Sequence, residues 1–210
     1  MSLRAGSTDT AAIEAYFDGW AKSYDYDLEA WLYQTPEEAA AALTPYLSAD
    51  DTVLDVGCGT GLFGRALARR LRCRIEGVDI SAKSLGIAGK HGIYAMFYRH
   101  DLQKPPLPFA TDSFDAAASV GVLTYMKDPA ALLEEVCRVV RPGGHLVFTQ
   151  RDDLWGEMNF NSLMNDFERR GLWTILGIFM PRAYLPKNEE FADAIQVIHV
   201  LCRIGAAEPA

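Results

Sequence analysis

The short apolar run Thr52-Val53-Leu54-Asp55-Val56 feeds directly into Gly57-Cys58-Gly59-Thr60-Gly61 and then into Leu62 to Leu71, where apolar residues recur at helical spacing. A buried strand, a turn of small residues and a helix in immediate succession form the opening unit of an alternating α/β fold. The small residues let a ligand approach the backbone, and the helix start offers N–H groups with no intrahelical partner.

The rest of the chain repeats that alternation. Ile75 to Ile80 reads as a second strand, after which Ser81 caps a helix. Tyr94 to His100 and Phe114 to Val120 read as the third and fourth strands, the latter opened by the turn-prone Thr111-Asp112-Ser113. Asp128-Pro129 starts a helix through Val140, Arg141-Pro142-Gly143-Gly144 stops it, and His145 to Thr149 is the fifth strand. Ser162 to Arg170 has helical periodicity, whereas Leu172 to Phe179 and Ala194 to Arg203 read as strands without a helix between them. The pattern predicts an α/β chain with a doubly wound, mostly parallel, seven-stranded Rossmann-like sheet that ends in an antiparallel strand pair.

Residues 1–50 read as helices that cover this core as a lid. Thr35-Pro36-Glu37-Glu38 predicts a helix start with Thr35 as N-cap, Pro36 at the first position and Glu38 completing a capping box. Tyr16, Phe17, Trp20, Tyr24, Tyr26, Trp31 and Tyr33 crowd this segment, and Trp20 and Tyr24 lie four apart, on one face if helical. They serve either as packing against the sheet or as a cover over a ligand. The charge is lopsided as well. Residues 1–52 carry Arg4 and Lys22 against ten acids, which accounts for the whole net charge of −8 and leaves the remaining chain formally neutral.

That acidic flank disfavours a nucleic-acid partner, which needs cations against its phosphates. A length of 210 residues fits one domain, here 1–50 as lid, 51–150 as ligand-binding core and 151–210 as helix and antiparallel strands. No apolar run reaches the length of a membrane span, and the polar stretch Met1 to Thr10 does not resemble a secretion signal. A cytoplasmic protein without a membrane partner is the expectation. Cys58, Cys73, Cys137 and Cys202 are scattered and read as reduced, packed thiols; His91, His100, His145 and His199 lack metal-ligand spacing, so no metal is expected.

The glycine loop alone suits two cofactors. Gly59-Thr60-Gly61-Leu62-Phe63-Gly64 satisfies the dinucleotide fingerprint GxGxxG, and Asp79 lies 18 residues past Gly61, where a ribose-binding acid is expected. That leaves a nicotinamide oxidoreductase open. Three features favour S-adenosylmethionine (SAM). Asp55 precedes an additional glycine, Gly57, and an acid suits the α-amino cation of SAM better than a pyrophosphate. Asp101, 22 residues after Asp79, can accept from an adenine amine. No Tyr-x-x-x-Lys pair of the common small nicotinamide reductases occurs.

Val53 to Gly61, Gly77-Val78-Asp79-Ile80-Ser81, His100-Asp101-Leu102, Phe114-Asp115 and Arg141-Pro142-Gly143-Gly144 together resemble the successive motifs of class I SAM-dependent methyltransferases. Tyr24-Asp25-Tyr26-Asp27, Trp31-Leu32-Tyr33 and Pro36 narrow the resemblance to the methyltransferase-like proteins of the Williams–Beuren region. The resemblance implies that Gly57, Gly59 and Gly61 meet the methionine part of SAM, with Cys58 as a small packing residue among them. It implies that Asp55 orders the loop and the amine, and that Asp79 binds the ribose with Ile80 against the adenine. Asp101 would take the adenine amine, Leu102 would flank the ring, and Val120 and Gly121 would line the methyl region. Trp20 and Tyr24 would close over the cofactor, and S-adenosylhomocysteine (SAH) would be the product.

The implied chemistry is in-line attack on a sulfonium methyl, which asks mainly for alignment. No histidine occurs near Tyr125, where several related small-molecule enzymes carry one, so no catalytic base is assigned. No Asn-Pro-Pro-aromatic motif directly follows the fourth strand, which disfavours adenine or glutamine N-methylation, and no cysteine directly follows it, which disfavours attack through a thiol as in cytosine C5 methylation. The expected acceptor is a small molecule or a protein side chain. A SAM-binding module without chemistry is the alternative.

Overall fold

The computed structural model describes residues 6–191 and 194–205, so Met1 to Ala5 of the polar N-terminal stretch lie outside the described residues. Its helices are α1 (Thr10–Trp20), α2 (Tyr24–Ala30), α3 (Thr35–Leu43), α4 (Leu62–Ala68), α5 (Ala82–Ala88), α6 (Pro129–Val139), α7 (Asp152–Glu157) and α8 (Phe160–Arg169). Its strands are β1 (Thr52–Val56), β2 (Arg74–Asp79), β3 (Met96–Arg99), β4 (Phe114–Ser119), β5 (Val140–Arg151), β6 (Trp173–Ile178), β7 (Arg182–Ala183) and β8 (Gln196–Ile204).

They form one sheet in the order β3-β2-β1-β4-β5-β8-β6, with the two-residue β7 paired to β8 off that path. The first five strands are parallel, and β8 runs antiparallel to both β5 and β6. The seven-stranded expectation therefore describes the main path. The late antiparallel pair is there too, but β8 is inserted between β5 and β6, an order that local sequence does not encode.

Central strands buried on both faces read as unbroken apolar runs. Val53, Ala116, Ala118, Val147 and Leu201 point to one layer, with Ala39, Ala40 and Leu43 of α3 and Phe63, Ala66 and Leu67 of α4. Leu54, Ala117, Leu146, Phe148, Val200 and Cys202 point to the other, against Leu132, Leu133 and Val136 of α6 and Phe160, Met164 and Phe167 of α8. The N-terminal segment accordingly divides. Helix α3 belongs to a helical layer of the core, and only α1 and α2 lie over the strand ends.

Predicted caps are realised at two helices. Ser81 Oγ accepts from the Ser84 N–H at 3.1 Å, and Asp128 Oδ1 accepts from the Ala131 N–H at 3.0 Å. The capping box at α3 is not realised. Gln34 is the N-cap, Thr35 is already helical and buried, and no side chain caps the start. Glu38 instead faces His199 Nε2 at 3.6 Å. The stop at Arg141-Pro142-Gly143-Gly144 is also different: α6 ends at Val139, and these residues bulge within β5, whose register against β4 shifts between Phe114↔Val140 and Ala116↔His145.

Candidate active site

The carboxyl ends of β1, β2 and β4 and the loop after β3 open onto one cavity, as expected for ligands of open parallel sheets. It measures about 730 Å³ including its mouth, and its walls include Gly57, Gly59, Asp79, Ile80, Asp101, Leu102, Val120 and Gly121. Eight of the residues singled out in the sequence thus meet at one place, and Tyr24 makes a ninth.

The loop geometry explains its glycines. Gly57 sits at φ +73°, and a Cβ there would come 2.3 Å from Val122 Cγ2. Its N–H donates to Val78 O at 2.8 Å, which ties the loop to β2. Gly59, at φ +51°, would project a Cβ into open space. Gly61 is turned away from the cavity: at φ +93° it is the N-cap of α4, and a Cβ would meet Tyr94 Cε2 at 3.1 Å. Gly64, which completes the dinucleotide-like spacing, has a packing reason, since a Cβ there would lie 2.3 Å from the Tyr94 hydroxyl oxygen. The match to that fingerprint therefore reflects the passage of Tyr94 beneath the loop, not a phosphate cradle.

Asp55 ends up beneath the loop as well, 1% exposed. The Tyr94 hydroxyl donates to its Oδ2 at 2.5 Å, and the Gly64 N–H donates to Tyr94 Oη at 3.2 Å. Burial pushes the Asp55 carboxyl up to about 7, against the opposing pull of the Tyr94 hydrogen bond. Cys58 is buried, and its Sγ would lie 2.7 Å from a Cβ on Gly77, so the thiol packs between loop and β2. Burial raises the Cys58 thiol well above its ordinary range.

Asp79 holds the loop from β2. Its Oδ2 accepts the Gly59 N–H at 2.8 Å and its Oδ1 accepts the Ser81 N–H at 2.8 Å. Each carboxylate oxygen keeps a further lone pair for a ligand hydroxyl in the cavity. Asp101 accepts from the Thr10 hydroxyl at 3.0 Å and from the Gln103 N–H at 3.0 Å. An acid on a two-point backbone anchor, a second acid after β3, the apolar Ile80 and Leu102 and the glycines of the loop, all lining one cavity, suit an adenosine with an amino-acid tail.

The cover reaches the cavity through Phe17, one of the aromatics expected over a ligand, and through Thr10 and Ile13 of α1, which the sequence does not single out; Ser84, Gln103, Tyr125 and Met126 line it as well. The acids of this segment are paired, not merely solvated: Ser81 Oγ donates to Asp18 Oδ1 at 2.6 Å and Thr60 Oγ1 donates to Asp25 Oδ1 at 2.5 Å. Arg65 bridges to Asp25 at 2.9 Å, and Arg99 pairs with Glu14. These bonds fasten α1 and α2 to the glycine loop, the start of α4, the loop after β2 and the end of β3.

Trp20 does not line the main cavity. Its Nε1 donates to Asp27 Oδ2 at 2.6 Å, and its ring packs on Tyr24 at 4.5 Å between centroids. It borders a smaller chamber of about 320 Å³ walled by Phe17, Tyr24, Tyr33, Tyr125, Tyr184 and Leu185, among others. The aromatics of the cover thus pack against Tyr184, Leu185, Phe191 and Ile195 and not only against the sheet. Phe17, Tyr24, Gly121 and Tyr125 border both spaces.

Comparison with known proteins fits this geometry. The family description "Methyltransferase domain" matches residues 54–148. Over 174 residues the chain is 32% identical to methyltransferase-like protein 27 of Homo sapiens, covering 80% of this chain and 71% of that protein. The chain belongs to the class I SAM-dependent methyltransferases. It is also 30% identical over 139 residues to a ubiquinone biosynthesis O-methyltransferase of Alkalilimnicola ehrlichii, covering 65% of this chain and about half, 51%, of that relative. Among solved structures it resembles the methyltransferase seen in complex with the Haloferax volcanii Trm112 methyltransferase activator, with a TM-score of 0.68 at 23% identity over 90% of this chain and 97% of that one. That likeness concerns the fold. SAM is thus the methyltransferase's cofactor, and among the described residues no helix is long and apolar enough to cross a membrane.

Proposed function

We propose that this methyltransferase transfers the SAM methyl group to a small organic acceptor held in the aromatic chamber beside the cofactor cavity. The observation that carries the reading is the shared wall of Phe17, Tyr24, Gly121 and Tyr125, which sets the two spaces side by side at the end of β4. The chamber is roofed by the cover together with Tyr184 and Leu185, and the Lys187 N–H donates to Trp31 O at 3.3 Å beside that roof. The chamber is closely walled, so the cover adjusts to seat an acceptor, and a small molecule asks less of that adjustment than a protein side chain does.

In this reading Gly57 and Gly59 floor the methionine part, Asp79 takes the ribose hydroxyls and Asp101 takes the adenine amine between Ile80 and Leu102. Asp55 receives the positive field of the α-amino group through the loop, while Cys58 and Gly61 shape the loop itself. Val120 and Gly121 flank the reacting end. Bound SAM supplies a methyl group already activated on sulfonium, so the chain has to align the acceptor and exclude water. Helices α1 and α2 do both, since their aromatic rings wall the chamber and their acids latch onto the floor loops.

Incubation with methyl-labelled SAM and a cell extract split into small-molecule and protein fractions tests this. Label in the small-molecule fraction is expected. Label confined to protein would overturn the reading.

A further inference from the structure

The chamber has polar features that its aromatic lining conceals. Gly121, at φ +74°, faces two hydroxyls: a Cβ there would lie 3.0 Å from Tyr33 Oη and 3.9 Å from Tyr184 Oη. One comes from the loop after α2 and the other from just after β7, and their rings meet edge to face at 5.5 Å. Behind them stands Arg151, at the end of β5 and 3% exposed, whose guanidinium lies 5.3 Å from the Phe191 ring. Phe191 in turn packs on Tyr184 at 5.5 Å. Among the described residues, no carboxylate and no histidine lines this chamber.

We infer that the chamber takes an acceptor presenting an already ionised oxygen, an acidic phenol, enol or carboxylate, which Tyr33 and Tyr184 bind by donating their hydroxyls. This rests on the chamber being the acceptor site. Burial holds both tyrosines above their ordinary range, so each hydroxyl keeps its proton to donate at neutral pH. Arg151 is paired with Asp153 at 2.5 Å, yet at Tyr184 its positive charge acts more strongly than the negative charge of Asp153. Tyr125 feels Arg151 as well, alongside the other buried tyrosines. A protonated amine would meet this field with no base to remove its proton. An anion needs none: an oxygen lone pair forms the bond to the methyl carbon while the carbon–sulfur bond breaks with its electrons to sulfur. Anion and sulfonium give two neutral centres at the reacting atoms, and no proton moves.

The probe is 4-nitrophenol, whose ionisation is followed by absorbance, bound to the SAH-loaded protein, with nitrobenzene as its uncharged counterpart. The bound phenol should ionise at least one pH unit below the free phenol. Tyr33→Phe and Tyr184→Phe should each weaken phenolate binding about tenfold, the worth of a hydrogen bond to a charged group, with SAH affinity unchanged as the control for folding. A bound phenol that ionises no lower than the free one would overturn the inference, as would Phe variants that hold phenolate as tightly as wild type. Nitrobenzene binding with phenolate excluded would overturn the charge preference and leave the chamber as an acceptor site. Binding of neither would overturn the chamber assignment itself.

Discussion

Asp55 provides the sharpest quantitative prediction, because its environment asks a buried carboxylate to carry its proton far above the usual range. Burial raises it from 3.8 to about 7, and the Tyr94 hydroxyl is its hydrogen-bond partner at 2.5 Å. Asp55→Asn keeps a carbonyl oxygen to accept from Tyr94 and removes the titration. The unfolded chain releases this proton near pH 4 and the native protein only near pH 7. Between those values the native state therefore binds more protons, and stability falls as pH rises. At about 1.4 kcal/mol per pH unit the accumulated penalty approaches about 4 kcal/mol. Above the folded-state value both states are ionised and the penalty stays constant. Urea unfolding of ligand-free wild type and variant between about pH 4.5 and 8.5 cancels the other carboxylates. Wild type should lose about 2 kcal/mol relative to Asp55→Asn between about pH 5 and 7, and the difference should level off above that. Parallel stability curves across that range would refute the assignment.

Other expectations follow from the same geometry. Asp79→Ala should cost about 1–3 kcal/mol of SAM affinity by calorimetry, through the ribose hydrogen bonds and the lost anchor of the Gly59 N–H; unchanged affinity would remove Asp79 from the site. Gly57→Ala should lose about 2–4 kcal/mol of stability, combining a left-handed backbone with a clash on Val122. Val122→Ala in the same protein should recover the steric part but not the backbone part. Cys58, Cys137 and Cys202 are buried, while half-buried Cys73 has its thiol pushed up to about 11. Ellman's reagent should therefore find Cys73 alone in native protein, about 100-fold slower than a free thiol of ordinary acidity; rapid release of two equivalents would contradict the burial.

Much of the cavity lining was legible because its placement is local. A strand, a glycine turn and a helix follow one another in sequence, and Asp79 and Asp101 each end a strand or its exit loop, so parallel pairing brings them to one edge. What was not legible depends on distant partners. Thr35 looks like an N-cap until tertiary packing buries it and Gln34 takes its place. Gly61 and Gly64 read as ligand glycines, yet both make room for Tyr94, some 30 residues away. Trp20 and Tyr24 share one spacing, but the Trp20 indole turns to Asp27 and only Tyr24 reaches the cavity. The ten N-terminal acids stand out in the sequence only as net charge. Pairing with Thr60, Arg65, Ser81 and Arg99 makes several of them fasteners of the cover. Tyr184 and Arg151 could not be connected to Tyr33 without knowing that β8 inserts between β5 and β6.

The placement of the aromatic chamber against the cofactor cavity at Gly121 is the central claim, and a crystal structure of the SAH complex tests it most directly. The adenine should lie between Ile80 and Leu102 with its amine at Asp101, and the sulfur should face Tyr33 and Tyr184 across Gly121. A sulfur directed away from those hydroxyls, leaving the chamber sealed from the cofactor, would contradict it.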